Sequence, residues 1–323
     1  MQKHRQHELR IPEELAGLRL DQALARLLPE YSRSRIQTWI ASGQVRVNGH
    51  GRRARDTVYV GDAVVVDAVL EIEVPPQPQA IALDVVYADD SIIVINKPAG
   101  LVVHPGAGNP DRTLQNALLH FRPGLEHLPR AGIVHRLDKD TSGLMVVAAS
   151  VAAHTALVKA MAGRRIVREY EAICVGALTG GGRVDQPVGR HPVERTRMAV
   201  RRDGRPAVTH YRLLHRFRAH SHIGVRLETG RTHQIRVHMA WLRHPLVGDP
   251  LYGGRLQIPP GAMDELVAAL RGFRRQALHA CRLALAHPQT GEQMSWSVPA
   301  PGDFSALLGA LIRDSDACAG SGI

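Results

Sequence analysis

The chain has 323 residues, 44% of them hydrophobic and 22% charged, which allows two globular domains with substantial cores. A formal net charge of +11 predicts a polyanionic partner such as nucleic acid. Only 4% of the residues are aromatic, which argues against a broad base-stacking platform.

Several classes of protein are excluded by missing patterns. No run of about 18 apolar residues occurs, so no membrane span is expected, and the N-terminus lacks the apolar stretch of a signal peptide. The cysteines Cys174, Cys281 and Cys318 lie far apart, which indicates neither a disulfide framework nor a zinc site. His233 and His238 are five residues apart, the wrong spacing for a helical zinc pair. We therefore expect a cytoplasmic protein without a metal.

Residues 1–16 are interpreted as an N-terminal extension and residues 17–75 as a first small domain. Its first helix is predicted by leucines at helical spacing, namely Leu20, Leu24, Leu27 and Leu28. Ser32 can cap a second helix, from which Arg33 and Arg35 point outward. Val45–Val47 alternates as a strand and precedes the tight turn Asn48–Gly49.

Beyond a proline-rich linker at residues 76–82, strands and helices alternate over residues 83–313 without strict βαβ periodicity. This pattern predicts an α+β fold with a mostly antiparallel sheet. Leu101–His104 and Ile133–Val134 are among the predicted strands. Residues 314–323 are small and polar, and we expect a disordered tail there.

The run His135-Arg136-Leu137-Asp138 lies in a polar loop between two predicted strands, a usual position for active-site groups. Asp138 and Asp140 are too close in sequence to flank a sugar bond as a glycosidase pair. One carboxylate is therefore interpreted as catalytic, and Asp140 as the one that stabilises the turn.

A second polar segment runs from Leu227 to Met239. Gly230 allows a sharp turn after a strand, and Thr232 can cap the helix that follows. Arg231 then lies at the strand-to-helix turn, where it can approach a neighbouring carboxylate and keep it ionised. An ordinary phosphate contact is the alternative for this arginine.

These two segments together resemble the RluA family of pseudouridine synthases. Supporting stretches are Asn96–Gly106, Arg168–Ala172 and His244–Gly253. The first domain resembles the S4 RNA-binding module through Arg19-Leu20-Asp21, the Ser32–Arg35 segment and Val45–Gly49. The resemblance covers residues 17 to 313 and is closest to family members that modify 23S rRNA.

The resemblance implies a role for each matching residue. Asp138 stands at the catalytic position, with Arg231 as its paired arginine. Tyr170 matches the tyrosine that packs on the extruded base and assists proton transfer at C5. Arg136 matches the arginine that enters the RNA stack, and Leu227 supports the base. The predicted substrate-binding set is completed by His135, Arg33 and Arg35.

The implied activity is the isomerisation of uridine to pseudouridine in 23S rRNA, in the helix 69 stem-loop. The expected partner is the large ribosomal subunit, bound by a monomer that needs no cofactor. Two alternatives stay open: a synthase of the same family with another rRNA or tRNA target, and a non-catalytic ribosome-assembly factor that uses only the S4-like module. The first covalent step, at C1′, at C6 or at the 2′ proton, is also open.

Overall fold

The computed structural model describes residues 2–71, 75–106, 108–194 and 196–320. The chain divides into two compact units, Met1–Pro75 and Pro76–Ile323.

The first unit combines two helices with a four-stranded antiparallel sheet. Its elements are β1 (Gln2–Arg10), α1 (Leu20–Leu27), α2 (Arg33–Ala41), β2 (Val45–Val47), β3 (His50–Gly51) and β4 (Ala63–Glu71), with the strands in the order β1-β4-β2-β3. The predicted helices and the first strand are confirmed. Ser32 caps α2 as predicted, since its hydroxyl accepts a hydrogen bond from the Arg35 amide at 3.3 Å.

Two details of this unit differ from the sequence interpretation. The segment expected to be an N-terminal extension forms β1, which pairs with β4 from Gln2 opposite Glu71 to Arg10 opposite Ala63. Arg33 is exposed, as expected, but its guanidinium binds the buried carboxylate of Asp21 at 2.8 Å and so links α2 to α1.

The second unit is built on a nine-stranded sheet in the order β5-β6-β7-β14-β8-β13-β12-β9, with β15 paired to β14. Its strands are β5 (Val85–Ala88), β6 (Ile92–Lys97), β7 (Ser142–Ala148), β8 (Val167–Val175), β9 (Gly182–Asp185), β10 (Val188–Arg190), β11 (Met198–Val200), β12 (Val208–Arg216), β13 (His220–Leu227), β14 (Leu278–Ala286) and β15 (Gln293–Ser297). Strands β10 and β11 form a separate hairpin. Among the described strands of the large sheet, only the β7–β14 pair is parallel, which confirms the predicted, mostly antiparallel α+β fold.

Helices cover this sheet and close its core. They are α3 (Leu114–Phe121), α4 (Val151–Ala162), α5 (Gln234–Trp241), α6 (Asp264–Gly272) and α7 (Gly302–Gly320). The largest apolar cluster lies among β6, β7, β8, β13, α3 and α5, and it includes Tyr170 and Ile235. No helix in the described part of the chain combines the length and the apolar character needed to cross a bilayer.

Three predictions of local structure are wrong. Leu101–His104 is irregular, and Ile133–Val134 forms no strand because Ile133 makes only an isolated bridge to Val147. The described part of the predicted disordered tail continues α7 to Gly320, and residues 321–323 lie outside the described residues. The helix extends because Asp314 is buried and binds both Arg218 and the Met263 amide.

Candidate active site

The two polar segments meet at one cavity of about 280 Å³ in the second unit. This volume suits a single nucleoside rather than a larger ligand. Six of the predicted site residues line it: His135, Arg136, Asp138, Tyr170, Leu227 and Arg231. The other two, Arg33 and Arg35, belong to the first unit.

Two glycines hold the ends of the loop that carries Asp138. Gly132 and Gly143 have φ values of +80° and +112°, which a side chain rarely adopts. A Cβ atom at Gly132 would overlap the Ala148 carbonyl, and one at Gly143 would overlap the backbone of Ala280. The loop can therefore lie this close to the sheet only with glycine at both ends.

His135 anchors the same loop from inside. Its Nε2 accepts a hydrogen bond from the Val146 amide of β7 at 3.1 Å. Burial, with a smaller contribution from the charge of Arg168, lowers the pKa of His135 to about 3, so the ring is neutral. The ring thus lines the cavity, while its Nε2 holds the loop.

Lys97 is buried behind the loop, with 1% of its surface exposed. Its Nζ donates to the carbonyls of Pro98, Leu101 and Lys139 at 2.7, 3.0 and 2.9 Å. Burial lowers the pKa of Lys97 to about 7. The Lys139 contact fixes the backbone immediately after Asp138.

The partner of Asp138 is Arg236, and the prediction that Arg231 fills this place is wrong. Arg236 Nη1 lies 3.1 Å from Asp138 Oδ2. Arg231 instead donates from Nε to the Pro206 carbonyl at 3.1 Å. The reason is that α5 begins at Gln234, so Arg236 lies in its buried first turn while Arg231 precedes the helix.

Arg236 is itself held by a second carboxylate. Its Nε and Nη2 bind Asp249 Oδ2 and Oδ1 at 2.7 and 2.8 Å, the bidentate geometry that fixes a guanidinium plane. Burial lowers the pKa of Arg236, but Asp249 and Asp138 outweigh this effect and raise it above its usual value. The guanidinium group of Arg236 therefore stays charged and is held in contact with Asp138. The side chain of Asp138 is 17% exposed.

His233 lies on the other side of Asp138. The Tyr252 hydroxyl accepts a hydrogen bond from the Met198 amide at 2.8 Å, so its own proton is available to His233 Nδ1 at 2.9 Å. This arrangement assigns the ring proton to Nε2, which lies 4.0 Å from Asp138 Oδ1. Burial is the main cause that lowers the pKa of His233, so the ring offers a neutral N–H donor beside the carboxylate.

The backbone at His233 has a φ of +57°, in the left-handed region. It is the N-cap residue of α5, so the prediction that Thr232 caps this helix is wrong. Strained backbone of this kind is concentrated at functional sites.

The remaining predicted residues shape the cavity. Tyr170 lies on β8 opposite Val225 and is 6% exposed, and burial raises the pKa of its phenol above the usual value. Leu227 ends β13, and Arg136 is exposed at the cavity.

Arg168 is a cavity residue to which the sequence analysis assigned no role. It is 6% exposed, its Nε has no hydrogen-bond partner in the described chain, and it forms no ion pair with a described residue. A Cβ atom at Gly230 would lie 2.8 Å from Arg168 Nη1, so the guanidinium packs directly on this glycine. A buried charge without a carboxylate suits an anionic ligand. Strand periodicity could not find it, because an arginine on a strand ordinarily faces water.

Among the described residues, no group of three or more histidine, cysteine, aspartate and glutamate side chains is arranged to hold a metal ion.

Comparison with known proteins identifies both units. Residues 91–241 match the family RNA pseudouridylate synthase, and residues 18–64 match the S4 domain. Ribosomal large subunit pseudouridine synthase D of Xanthomonas campestris pv. campestris is 58% identical over 94% of this chain and 92% of its own length. The protein of the same name from Yersinia pestis is 57% identical, over 95% of this chain and 94% of its own.

Solved structures agree with these matches. Human RNA Pseudouridylate Synthase Domain Containing 4 superposes with a TM-score of 0.57 and 26% identity, covering 71% of this chain and 93% of that one. Human RNA Pseudouridylate Synthase Domain Containing 1 gives a TM-score of 0.54 at 26% identity, covering 69% and 85%. The resemblance of the sequence motifs is confirmed: the chain belongs to the RNA pseudouridylate synthase family.

Proposed function

We propose that this protein isomerises uridines of 23S rRNA to pseudouridine, in the helix 69 stem-loop, with Asp138 as its catalytic residue. The observation that carries the proposal is the Asp138 carboxylate, held by Arg236 at a nucleoside-sized cavity. The relatives from Xanthomonas and Yersinia are named for the large ribosomal subunit, which supports this RNA as substrate.

The reaction breaks the C1′–N1 bond, rotates the uracil and joins C1′ to C5. N1 gains a proton and C5 loses one, so no oxidant, reductant or water is consumed. A base stacked in RNA cannot make this rotation, and it has to be flipped out at a cost of a few kcal/mol. Arg136, exposed at the cavity, is placed to occupy the vacated position and face the flanking phosphates.

Within the cavity each side chain has a distinct task. Asp138 acts on the ribose as nucleophile or base, and Arg236 keeps it anionic. Tyr170 packs its ring on the uracil and assists the transfer of the C5 proton. Leu227, at the end of β13, supports the base. Arg168 supplies positive charge for the phosphate or for the detached base. The bound RNA has to close this site, because water must be kept from the free uracil.

The first unit would hold the rRNA through phosphate contacts. Arg35 lies on α2, and Arg33 on the same helix is partly engaged by Asp21. We infer that the protein works in the cytoplasm as a monomer, since one chain carries both the cavity and the S4 domain.

Replacing Asp138 with asparagine tests the proposal, because it removes the charge and keeps the shape. We expect pseudouridine formation to fall by about 10²–10⁴-fold or more while rRNA binding is retained. The measurement is pseudouridine mapping of 23S rRNA after incubation with each variant. Asp140→Asn in the same loop is the matched control and should stay within a few-fold of the wild type. Near-normal turnover by Asp138→Asn would remove this residue from the mechanism.

A further inference from the structure

We propose that a groove beside the active site binds a single-stranded segment of the substrate RNA, an inference that rests on the proposed function. The Trp241 groove, as we call it, is lined by Trp241, Arg243, Arg255, Arg271, Arg274 and His220. It lies in the second unit and shares none of these residues with the catalytic cavity.

The groove consists of two adjoining cavities. The residues that line both of them are Val175, Gly253, Gly254, Arg255 and Gln257. One cavity extends along the end of α5, at Trp241 and Arg243, and the other extends to the end of α6 at Arg271. The two cavities therefore lie side by side along this shared wall, an arrangement suited to an extended chain.

Its charge is strongly positive. The four arginines are exposed, and none of them forms an ion pair with a residue in the described part of the chain. Asp249 is the single acidic residue among the described residues that line either cavity, and its carboxylate is buried and bound to Arg236. Unneutralised guanidinium groups along a trough are the arrangement that follows a phosphate backbone.

Trp241 adds a binding element that charge alone does not explain. Half of its surface is exposed, 50%, although it is large and apolar. An exposed indole in the same cavity as Arg243 and Arg255 provides a face on which an unstacked base can lie. Stacking of this kind requires a base outside a duplex, which favours single-stranded RNA over double-stranded RNA.

His220 lies in the wall of one of the two cavities. It is 1% exposed, and neither ring nitrogen has a hydrogen-bond partner in the described chain. Burial lowers its pKa to about 4, so the ring is neutral and offers one donor and one acceptor. Because the neutral ring adds no charge, the positive charge of the groove comes from its arginines.

The groove is coupled to the active site through one loop and one helix. Asp249 holds Arg236 at the catalytic carboxylate, and the residues just after it line the groove. Trp241 follows Arg236 by five residues on α5, a rise of about 7.5 Å along the helix axis. A short single-stranded segment is therefore long enough to connect RNA in the catalytic cavity with RNA in the groove.

The test uses the full chain and a single-stranded oligouridylate of about 12 nucleotides, within the usual range of site sizes. Arg255→Glu combined with Arg271→Glu should weaken binding at least tenfold. The slope of log affinity against log salt should become shallower by about 1.4, because two phosphate contacts are lost. Trp241→Ala should weaken binding about tenfold with the salt slope unchanged, because stacking releases no counterions.

The matched control is Arg216→Glu combined with Arg226→Glu, which makes the same charge change at exposed strand residues outside the groove. An equal loss of affinity in this control would mean that binding follows total charge, and it would overturn the proposal. So would polyglutamate that competes as well as the oligonucleotide. Arg255→Gln with Arg271→Gln repeats the test should the reversed charges lower the melting temperature.

Turnover separates this inference from the proposed function. On 23S rRNA the groove variants should raise KM and leave kcat unchanged, whereas Asp138→Asn should lose kcat and still bind the oligonucleotide. A wild-type protein that forms no pseudouridine in 23S rRNA would refute the proposed function alone. Oligonucleotide binding that is insensitive to all groove variants would refute the groove alone.

Discussion

The two oxygens of the Asp138 carboxylate have different surroundings. Oδ2 is bound by Arg236 at 3.1 Å, while Oδ1 lies 4.0 Å from His233 Nε2, too far for a hydrogen bond. Oδ1 is therefore the oxygen left for the substrate. The neutral His233 N–H beside it can donate to a substrate oxygen without competing as a second cation.

Arg236→Gln and Arg231→Gln should change different kinetic constants, kcat in the first variant and KM in the second. Losing Arg236 frees Asp138 and leaves Asp249 buried without its partner, so we expect kcat to fall at least 10²-fold and stability to fall by about 3–5 kcal/mol. Arg231→Gln should change KM for rRNA and leave kcat within a few-fold. Steady-state kinetics and thermal melting of both variants check this. Loss of kcat in Arg231→Gln alone would contradict the assignment.

At the scale of elements, β7 determines where the catalytic loop can lie. It pairs with β6 on one side and, in parallel, with β14 on the other, so its start at Ser142 is enclosed by sheet. Gly143 pairs with Ala280 of β14 and lies so close to its backbone that a Cβ atom would overlap it. The position of Asp138 thus depends on a strand contact more than 130 residues away in sequence.

Gly143→Ala should destabilise the second unit by about 3 kcal/mol or more, because it combines an unfavourable φ with a backbone overlap. Gly124→Ala is the control, since its Cβ would meet no atom within 4 Å. Thermal or urea unfolding of the two variants gives the comparison. Equal midpoints would show that the loop relaxes freely, contrary to this account.

Helix α5 shows why sequence spacing does not identify Arg236 as the partner of Asp138. The sequence predicts a helix after the turn at Gly230, and α5 confirms it. Every residue from Gln234 to Met239 is buried, however, so the helix has no solvent-facing side over this stretch. A periodicity argument assigns polar residues such as Arg236 to the outer face, and only the surrounding strands and the Asp249 loop reverse that.

For the whole molecule, buried neutral histidines predict acid sensitivity. The pKa of His135 is about 3 and that of His220 about 4, both below the unfolded value near 6.5. Between these values the unfolded chain binds more protons than the folded one, so stability is complete above about pH 6.5 and falls as the pH drops towards 4. Melting temperatures across this range should show the fall, with a shallower slope in His135→Gln. An unchanged slope would mean that His135 does not contribute.

The amino-acid sequence alone identifies the family motifs and the S4-like first domain, and it predicts most helices and strands and the place of Asp138. These features depend on residue type and on spacing along the chain, which the sequence states directly. The tertiary structure decided that Arg236 is the partner of Asp138, that Arg168 is buried at the cavity, and that residues 2–10 and 314–320 are ordered. Each of these features depends on contacts with segments that are distant in the sequence. Such contacts bury polar residues without producing a helical or strand periodicity in the local sequence, so the sequence does not show them.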